Sequence, residues 1–466
     1  RTKASPPESA EVGRAGHESC EIVGQLLAAG SFTAAVPAWL RGYEQDPGPH
    51  QAELLTLFVK SCGVEFTVTP ERVEAGDVDR LVEECVATAE SDGGLDLYGS
   101  RRGALRHFEV GVREFWDRVV RECHASGVLY EHNALFDSLL DLVLALSKTK
   151  VRLFRFAATL CGTQLITSMV HTVHVLSDML EAAEKQLEAQ QGRAGRAGSA
   201  RMADLKQTAA TAKHRQGHID GLINKLFEPM VVVRFRDVAA EVRTMIIAAV
   251  GEWAAAYPEK FLADHYLKYV AWSLNDSAAS VRRAAVGALR ELYADQARHD
   301  ALETLTDRYL DRFVQLGRDC DDDVALEALE LLTTLYEHGL LEAADVEALE
   351  GLLMEPSAAL RQASGRLVAL TIPQGRGAAD SFKHILAFAS RLLEQCEVGE
   401  GEEDGVLLHI LDALGPHVPV LRDWSAMAKA TLNDELQQGR HADLLLKVIR
   451  AVVTSSCSEA GGSGRG

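Results

Sequence analysis

The sequence lacks the motifs that accompany most enzymatic chemistry. It contains no HExxH frame, no GK[ST] of a phosphate loop, no nucleophile elbow and no dinucleotide-binding fingerprint. Glycines at positions 192, 195 and 198 resemble a phosphate loop only superficially, because no predicted strand precedes them and no GK[ST] follows. We therefore expect no enzymatic activity, no catalytic residues and no cofactor.

Arrangements of metal ligands are also scarce. The eight cysteines form no CxxC pair and no dense framework, which favours a reducing compartment and buried free thiols. His171 and His174 lie three residues apart, and His214 and His218 lie four apart, spacings that would place each pair on one helix face. Neither pair has a neighbouring cysteine, so packed or exposed histidines are the favoured interpretation and no metal is expected.

Long apolar runs are missing as well. No run approaches the roughly 18 residues that span a bilayer, and no signal peptide opens the chain, so we expect no membrane partner. Hydrophobic residues make up 47% of the 466 residues and charged residues 25%, which is the composition of a folded chain. The first residue is Arg1 rather than Met, which suggests that the sequence is part of a longer chain.

Charge is abundant but unevenly distributed. The formal net charge is −20, which argues against a surface that is basic throughout but says little about a local face. Residues 193–236 contain nine Lys or Arg against three acids, whereas residues 319–355 contain twelve acids and no Lys or Arg. This uneven distribution of charge predicts a phosphate-binding surface in one part of the chain and an acidic surface in another.

Two copies of one pattern organise the chain. Asp237 is followed five residues later by Val242-Arg243, and Asp276 is followed by Val281-Arg282, so the copies are 39 residues apart. This period is typical of HEAT-type helical hairpins, in which Asp caps the second helix and Arg reaches the acidic turn of a neighbouring repeat. Looser copies occur at Val151-Arg152, at Asp319 with Val324-Ala325, and at Glu355 with Leu360-Arg361. The predicted fold class is therefore an all-α, HEAT-like helical solenoid.

Helical periodicity and breakers divide this solenoid into four predicted parts. We expect a mostly disordered leader over 1–50 and a helical domain over 51–230, with two long helices projecting at about 177–225. A further set of repeats is expected over 231–372, and more helices, an acidic loop and a flexible tail over 373–466. The run Asp321 to Asp323 falls in an inter-repeat turn, where a helix cap explains it better than a cation site.

One predicted helix, from Glu259 to Leu274, carries more apolar residues than a single buried stripe needs. Some of them must either be buried between repeats on two sides or be exposed. Lys268 and Trp272 are four residues apart and share a face, which suggests the rim of a groove. Taken alone, however, Trp272 is more simply interpreted as core packing.

Several segments resemble one known family. The run YLKYVAWSLND, with FRDVAAEVR before it and VRRAAVGALRELY after it, is similar to the central conserved domain of the stromalin (stromal antigen) subunits of cohesin. Upstream, SKTKVRLFRFAATLCGTQLI and VREFWDRVVRECHASGVLYEHNALFDSLLDLVLALS resemble the N-terminal, STAG-type helical domain of that family. The resemblance extends from about Leu54 to about Thr371 and corresponds to the N-terminal part of the longer family members.

The resemblance implies a non-catalytic scaffold that binds the kleisin subunit of the cohesin ring, contacts DNA and docks regulators through short aromatic-bearing peptides. Phe235 and Tyr309 stand where Tyr and Phe respectively are expected, which keeps the ring volume but moves a hydroxyl group. The residues that match the peptide-docking surface are Phe235, Arg236, Asp264, Lys268, Tyr269, Trp272, Arg308 and Tyr309. Much of the kleisin contact of the family lies beyond this sequence.

Basic residues near helix ends are the candidate contacts for double-stranded DNA. Because no recognition helix, zinc module or stacking motif is visible, such binding is expected to be independent of DNA sequence. The interpretation of these residues as solvated helix ends and inter-repeat arginines remains open. The candidates are Arg101, Arg102, Arg106, Lys148, Lys150, Arg152, Arg155, Arg193, Arg196, Arg201, Lys213 and Arg215.

The sequence therefore predicts a nuclear, chromatin-associated scaffold that supports sister chromatid cohesion and the loading of cohesin. The alternative is another HEAT adaptor, such as a nuclear-transport receptor or a phosphatase scaffold. A transport receptor is expected to carry acidic inner helices throughout, whereas acidity here is concentrated in residues 319–355.

Overall fold

The computed structural model describes residues 34–99, 107–131, 133–190, 196–373, 378–395, 403–432 and 440–462, and this part of the chain contains helices and no β-strand. It divides into two compact units, Arg1–Tyr257 and Pro258–Gly466. The all-α fold class predicted from the sequence is confirmed.

The first unit contains ten described helices, of which α8 and α9 are the longest. In chain order they are α1 (Ala35–Gln45), α2 (Pro47–Ser61), α3 (Pro70–Ala75), α4 (Val78–Asp92), α5 (Phe108–Ser126), α6 (Val128–Glu131), α7 (Asn133–Ser147), α8 (Arg152–Gln190), α9 (Arg196–Arg234) and α10 (Ala240–Ala256). Helices α8 and α9 pack against each other as a long hairpin, and α5, α7 and α10 pack on α8. Helix α8 is therefore the central element of this unit.

The second unit continues as a helical array. Its described helices are α11 (Pro258–Phe261), α12 (Asp264–Ser273), α13 (Ala279–Tyr293), α14 (His299–Leu316), α15 (Asp322–Glu337), α16 (Ala343–Glu347), α17 (Ala358–Thr371), α18 (Ala378–Gln395), α19 (Glu403–Leu414), α20 (Trp424–Thr431) and α21 (Arg440–Gly462). Short 3₁₀ helices occupy Gln296–Arg298, Glu350–Met354 and Pro419–Arg422. Successive packing of α13 on α15, α15 on α17, α17 on α19 and α19 on α21 is the nearest-neighbour stacking of a solenoid.

Two sequence expectations about helix boundaries need correction. The predicted leader over 1–50 is too long, because α1 is helical and buries Trp39 and Tyr43. The run DPGPH from Asp46 to His50, whose Pro and Gly residues predict a helix breaker, instead begins α2. Pro47 and Pro49 lose no helical hydrogen bond there, because the first N–H groups of any helix have no partner within it. The segments expected to project at about 177–225 are parts of α8 and α9, each a continuous helix of 39 residues that also contributes to the core.

Helix α8 is long and apolar enough to span a bilayer by length and composition, and it is the only described helix that is. Within its most apolar window, however, 83% of the residues are buried inside the protein. Leu160, Leu165, Ile166 and Met169 are fully buried in this stretch. Packing by neighbouring helices therefore accounts for its composition.

Arginine–aspartate bridges join successive turns of the array. In the first unit, Arg155 Nε donates to Asp237 Oδ2 at 2.9 Å, and the exposed fractions of the two side chains are 10% and 0%. In the second unit, Arg282 Nε donates to Asp319 Oδ2 at 2.8 Å and Nη2 to Oδ1 at 2.5 Å. The predicted role of arginine, to reach the acidic turn of a neighbouring repeat, is confirmed for Arg282.

The aspartates act differently from the prediction. Asp237 and Asp276 accept from the N–H groups of Ala239 and Ala278, which precede α10 and α13, so each carboxylate closes a turn before the helix rather than capping it. Asp321 is the true N-cap of α15 and accepts from Val324 N–H at 3.2 Å. The interpretation of that acidic run as a cap is confirmed.

Candidate peptide-docking groove and basic surface

A groove lies between α12 and α14 in the second unit. Its floor is formed by Leu267, Ala271 and Leu305, whose exposed fractions are 1%, 1% and 7%. The groove is open to solvent and encloses about 340 Å³. This volume falls within the ~300–1,000 Å³ range of sites that hold small molecules or single side chains of a peptide.

Trp272 stands on the rim of the groove with 46% of its surface exposed. Its neighbours on α12 account for this, since Tyr266, Tyr269 and Val270 occupy the buried side of the helix. Tyr269 meets Trp272 edge to face, with ring centroids 5.9 Å apart. The indole is therefore held from below while its outer surface stays open, and the interpretation of Trp272 as core packing is wrong.

Cations border the indole. Lys268 Nζ lies 5.8 Å from the centroid of the Trp272 ring and 5.0 Å from that of Tyr269, within the range of cation–π attraction. Exposed Arg308 lines the opposite wall, and Asp264 lines the groove on the α12 side. An apolar floor, an open indole and two cations suit an aromatic side chain that is followed or preceded by a carboxylate.

Five of the eight predicted docking residues line this groove, namely Asp264, Lys268, Trp272, Arg308 and Tyr309. Tyr269 lies beneath it, 5% exposed, and supports the indole. Phe235 and Arg236 belong to the first unit, where the Arg236 guanidinium lies 4.8 Å from the Phe235 ring. These two positions stay a prediction.

The prediction missed the floor and part of the rim. Leu267, Ala271 and Leu305 form the floor, and His265 and Thr304 contribute to the walls. Helical spacing supplies a signal for some of them, because residues 264, 268, 271 and 272 share one face of α12. Which residues of α14 lie opposite is decided by packing between helices.

Some of the predicted DNA contacts are exposed, whereas others already contact side chains of this chain. Lys148 and Lys150 are exposed in the turn before α8, and Arg201 and Lys213 are exposed on α9. Arg152 donates to Glu241 Oε1 at 2.7 Å from Nε, and the Arg215 guanidinium lies 4.7 Å from the Tyr130 ring. The remaining candidates outside the described part of the chain are Arg101, Arg102, Arg106, Arg193 and the side chain of Arg196.

Arg155 is not suited to contact phosphate, contrary to the prediction. Its guanidinium is buried, pairs with Asp237 and also donates to the carbonyl oxygen of Lys150 at 2.6 Å. A cation that is buried and already paired with a carboxylate and a carbonyl is poorly placed to reach a phosphate of DNA.

The acidic block over 319–355 is largely neutralised by arginines. Besides Asp319, Asp323 pairs with Arg283 at 2.9 Å, Glu327 pairs with Arg290 at 2.9 Å and Glu350 pairs with Arg391 at 2.6 Å. The arginines come from α13 and α18, outside the block. The sequence expectation of a bare acidic surface is therefore wrong for these carboxylates.

The shifted pKa values in this part of the molecule have structural causes, namely burial and ion pairs within the fold. Burial raises the pKa of the Cys85 and Cys123 thiols to about 12, and Cys62 and Cys161 are buried too, whereas Cys320 is exposed. Burial of Asp237 works against ionisation, but the Ala239 N–H and the Arg155 guanidinium outweigh it and hold the pKa of this carboxyl below its ordinary value. In the described residues, no three His, Cys, Asp or Glu side chains are arranged to hold a metal.

Comparison with known proteins gives two domain matches. A family model for the STAG domain matches residues 96–208, and a model for the stromalin conservative domain matches residues 236–310, which include the groove. The chain is 29% identical to sister-chromatid cohesion protein 3 of Arabidopsis thaliana over 422 residues, or 88% of this chain and 38% of that protein. It is 31% identical to cohesin subunit SA-3 of Mus musculus over 336 residues, or 72% of this chain and 27% of that protein.

The fold is shared with a solved structure. The cohesin subunit Scc3 from Z. rouxii matches with a TM-score of 0.79 and 17% identity, over 93% of this chain and 55% of that one. The chain thus spans well under half the length of the curated relatives it matches.

Proposed function

This chain belongs to the stromalin family, and we propose that it serves as a non-catalytic helical-repeat scaffold subunit of a cohesin complex. In this role it binds the kleisin subunit and, through it, the ring, and it supports sister chromatid cohesion and cohesin loading on nuclear chromatin. The names of its relatives and the two family domains support the assignment. A stack of helices presents an extended surface, which suits binding to several partners at once.

The groove at Trp272 is the proposed docking site for regulator peptides with an aromatic residue. The observation that carries this proposal is the exposed indole above an apolar floor, with Lys268 and Arg308 beside it. Leaving a tryptophan half exposed forgoes apolar burial, so a partner that covers it gains free energy of association.

Fluorescence anisotropy with a labelled peptide that carries one phenylalanine next to an aspartate tests this site. We expect Trp272→Ala to weaken binding at least tenfold, because aromatic anchors in grooves carry ~2 kcal/mol or more of binding free energy. Trp424→Ala is the matched control, since Trp424 is also exposed and belongs to the same unit but does not line the groove. Equal binding by wild type and a folded Trp272→Ala variant would refute the docking site.

Contact with double-stranded DNA is proposed for the exposed basic residues of the first unit. Lys148 and Lys150 are exposed in one turn, and in the described part of the chain neither has an ion-pair partner. The double variant Lys148→Glu/Lys150→Glu should weaken binding of a random-sequence duplex and lower the slope of log K against log salt by about 1.8, for two phosphate contacts. Lys429→Glu, a charge reversal at an exposed lysine of the second unit, serves as a control. An unchanged salt slope would remove this turn from the DNA surface.

A further inference from the structure

An arginine outside the docking groove joins the two helices that border it. Arg312 lies on α14, and its Nη2 donates to the main-chain carbonyl oxygen of Leu274, the residue that follows α12, at 2.9 Å. The two residues are 38 positions apart in the chain, so the hydrogen bond connects successive repeats. We refer to this hydrogen bond as the Arg312–Leu274 link.

The link lies at one end of the groove. The last groove-lining residue of α12 is Trp272 and that of α14 is Tyr309, and Leu274 and Arg312 follow them by two and three residues. Arg312 also comes about one helical turn after Arg308, which lines the wall. The side chain of Arg312 itself does not line the groove. The link therefore holds the two walls together beside the indole and leaves the space between them to a peptide.

The end of α12 explains why the link forms at this point. The last carbonyl groups of a helix have no N–H donor within the helix and need one from outside. Beyond α12, the N–H group of Asn275 returns to the carbonyl of Trp272. Arg312 supplies the donor for the carbonyl of Leu274, a residue that is fully buried. Its positive charge also suits the negative end of the α12 dipole.

The guanidinium of Arg312 is held on both sides. Besides the bond from Nη2, Nη1 donates to Gln315 Oε1 on the same helix at 3.3 Å. The side chain is half-buried, and its donors form a planar, rigid fork. Such a group keeps its two partners at a set separation, which a flexible side chain does not.

The shape of the groove depends on how far α12 lies from α14, because both helices contribute to its floor. Leu267 and Ala271 belong to α12, and Leu305 belongs to α14. A gap of ~0.5–1 Å already removes about a quarter to a half of the dispersion attraction between two apolar groups. Trp272 lies in the last turn of α12, two residues before Leu274, so a shift of that turn moves the indole directly.

From this geometry we infer that Arg312 is a positioning residue of the docking groove. Its link to Leu274 sets the separation of α12 and α14 at the indole of Trp272, and thereby the affinity for a peptide that inserts an aromatic side chain. The inference rests on the proposed docking function of the groove, and it assigns a part in that function to a residue that does not touch the peptide.

A double-mutant cycle in the full chain tests this role, with the labelled peptide that carries one phenylalanine next to an aspartate. We expect Arg312→Met to weaken binding about fivefold when Trp272 is present and less than about twofold in the Trp272→Ala background. A residue that acts through the indole has nothing to position once the indole is gone. Arg312→Lys keeps a charged donor without the fork, so its affinity should fall between those of wild type and Arg312→Met, and it carries the test if Arg312→Met does not fold.

Arg361→Met is the matched control for a general loss of stability. Arg361 also donates to main-chain carbonyls, those of Glu355 and Pro356, at 2.9 Å in the same unit, but it does not line the groove. This variant should lower the urea midpoint of unfolding and leave the affinity for the peptide within about twofold of wild type.

Three results would overturn the inference. The first is wild-type affinity in folded Arg312→Met and Arg312→Lys variants. The second is an equal loss of affinity in Arg312→Met and Arg361→Met, which would show an effect of stability alone. The third is an equal loss on replacing Arg312 with and without Trp272, which would separate the arginine from the indole. If Trp272→Ala binds as wild type does, the docking groove itself fails, whereas a loss confined to Trp272→Ala removes only the role of Arg312.

Discussion

Arg155 and Arg308 carry the same guanidinium group but are used in opposite ways. Arg155 is buried between two turns, with Asp237 and a backbone carbonyl as partners. Arg308 is exposed on the wall of the groove, and no ion pair holds it among the described residues. The comparison teaches that arginines at helix starts hold the repeats together, whereas Lys268 and Arg308 at the groove remain available to a partner.

The largest expected effect comes from breaking the buried ion pair between Arg155 and Asp237. Asp237→Ala leaves Arg155 and Arg234 with buried, unpaired charges, so we expect a loss of about 3–5 kcal/mol in the free energy of unfolding. Urea denaturation measures it. Asp323→Ala removes an ion pair in which both side chains are more than half exposed, and should cost less than about 0.5 kcal/mol. Similar losses of unfolding free energy in the two variants would contradict the distinction between buried and exposed ion pairs.

A second prediction concerns pH and separates buried from exposed groups. Burial, followed by the charge of Arg215, lowers the pKa of His124, whose Nδ1 lies 2.6 Å from the Tyr130 hydroxyl. Protons therefore bind the unfolded chain more tightly, so the stability contributed by neutral His124 is complete above about pH 6.5 and declines below it. The slope for one such group cannot exceed about 1.4 kcal/mol per pH unit.

Unfolding free energies measured between pH 7.5 and 5 check this prediction. The His124→Gln variant should show a flatter profile, because it removes one group that takes up a proton on unfolding. Arg308→Ala should leave the profile unchanged, since its side chain is exposed. Asp237 and Asp319, whose pKa values are lowered, lose their stabilising contribution only as the pH falls below about 4. An unaltered slope in His124→Gln would show that other groups carry the pH dependence.

The smallest expected change in stability follows from replacing the exposed Arg308. Arg308→Ala should alter the free energy of unfolding by less than about 0.5 kcal/mol, as do most surface substitutions. The same variant should weaken binding of the aspartate-bearing aromatic peptide severalfold, because one cation of the groove is lost. A loss of stability with unchanged peptide binding would mean that Arg308 supports the fold instead.

The sequence pattern located the inter-repeat arginines well in some repeats and poorly in one. Arg243, Arg282 and Arg361 each donate from Nη1 to the carbonyls five and six residues earlier, and these three follow the predicted pattern. In the repeat before them the pattern favoured Arg152, but Arg155 makes the same contacts. All four are the fourth residue of their helix, a position from which the side chain turns back over the first turn.

The docking groove was predictable in part. The i, i+4 spacing of Lys268 and Trp272 placed both on one face of a helix, and the structure confirms that face. The sequence could not exclude a buried Trp272, because Trp253 in α10 is fully buried and donates to Thr167 Oγ1 at 2.8 Å. Both tryptophans lie in helices with apolar residues around them, so local sequence alone does not decide which of the two is exposed.

The sequence by itself determined the helical repeat and the family, because helical periodicity and short motifs are local properties of the chain. It also determined which residues could be cations or anchors. Only the tertiary structure decided which of them are free. Packing of α12 on α14 exposes Trp272 beside Arg308, whereas the bridge to Asp237 removes Arg155 from solvent. Whether a cation is free depends on partners that are far apart in the chain. Arg155 and Asp237 are separated by 82 positions, and no local pattern records such a separation.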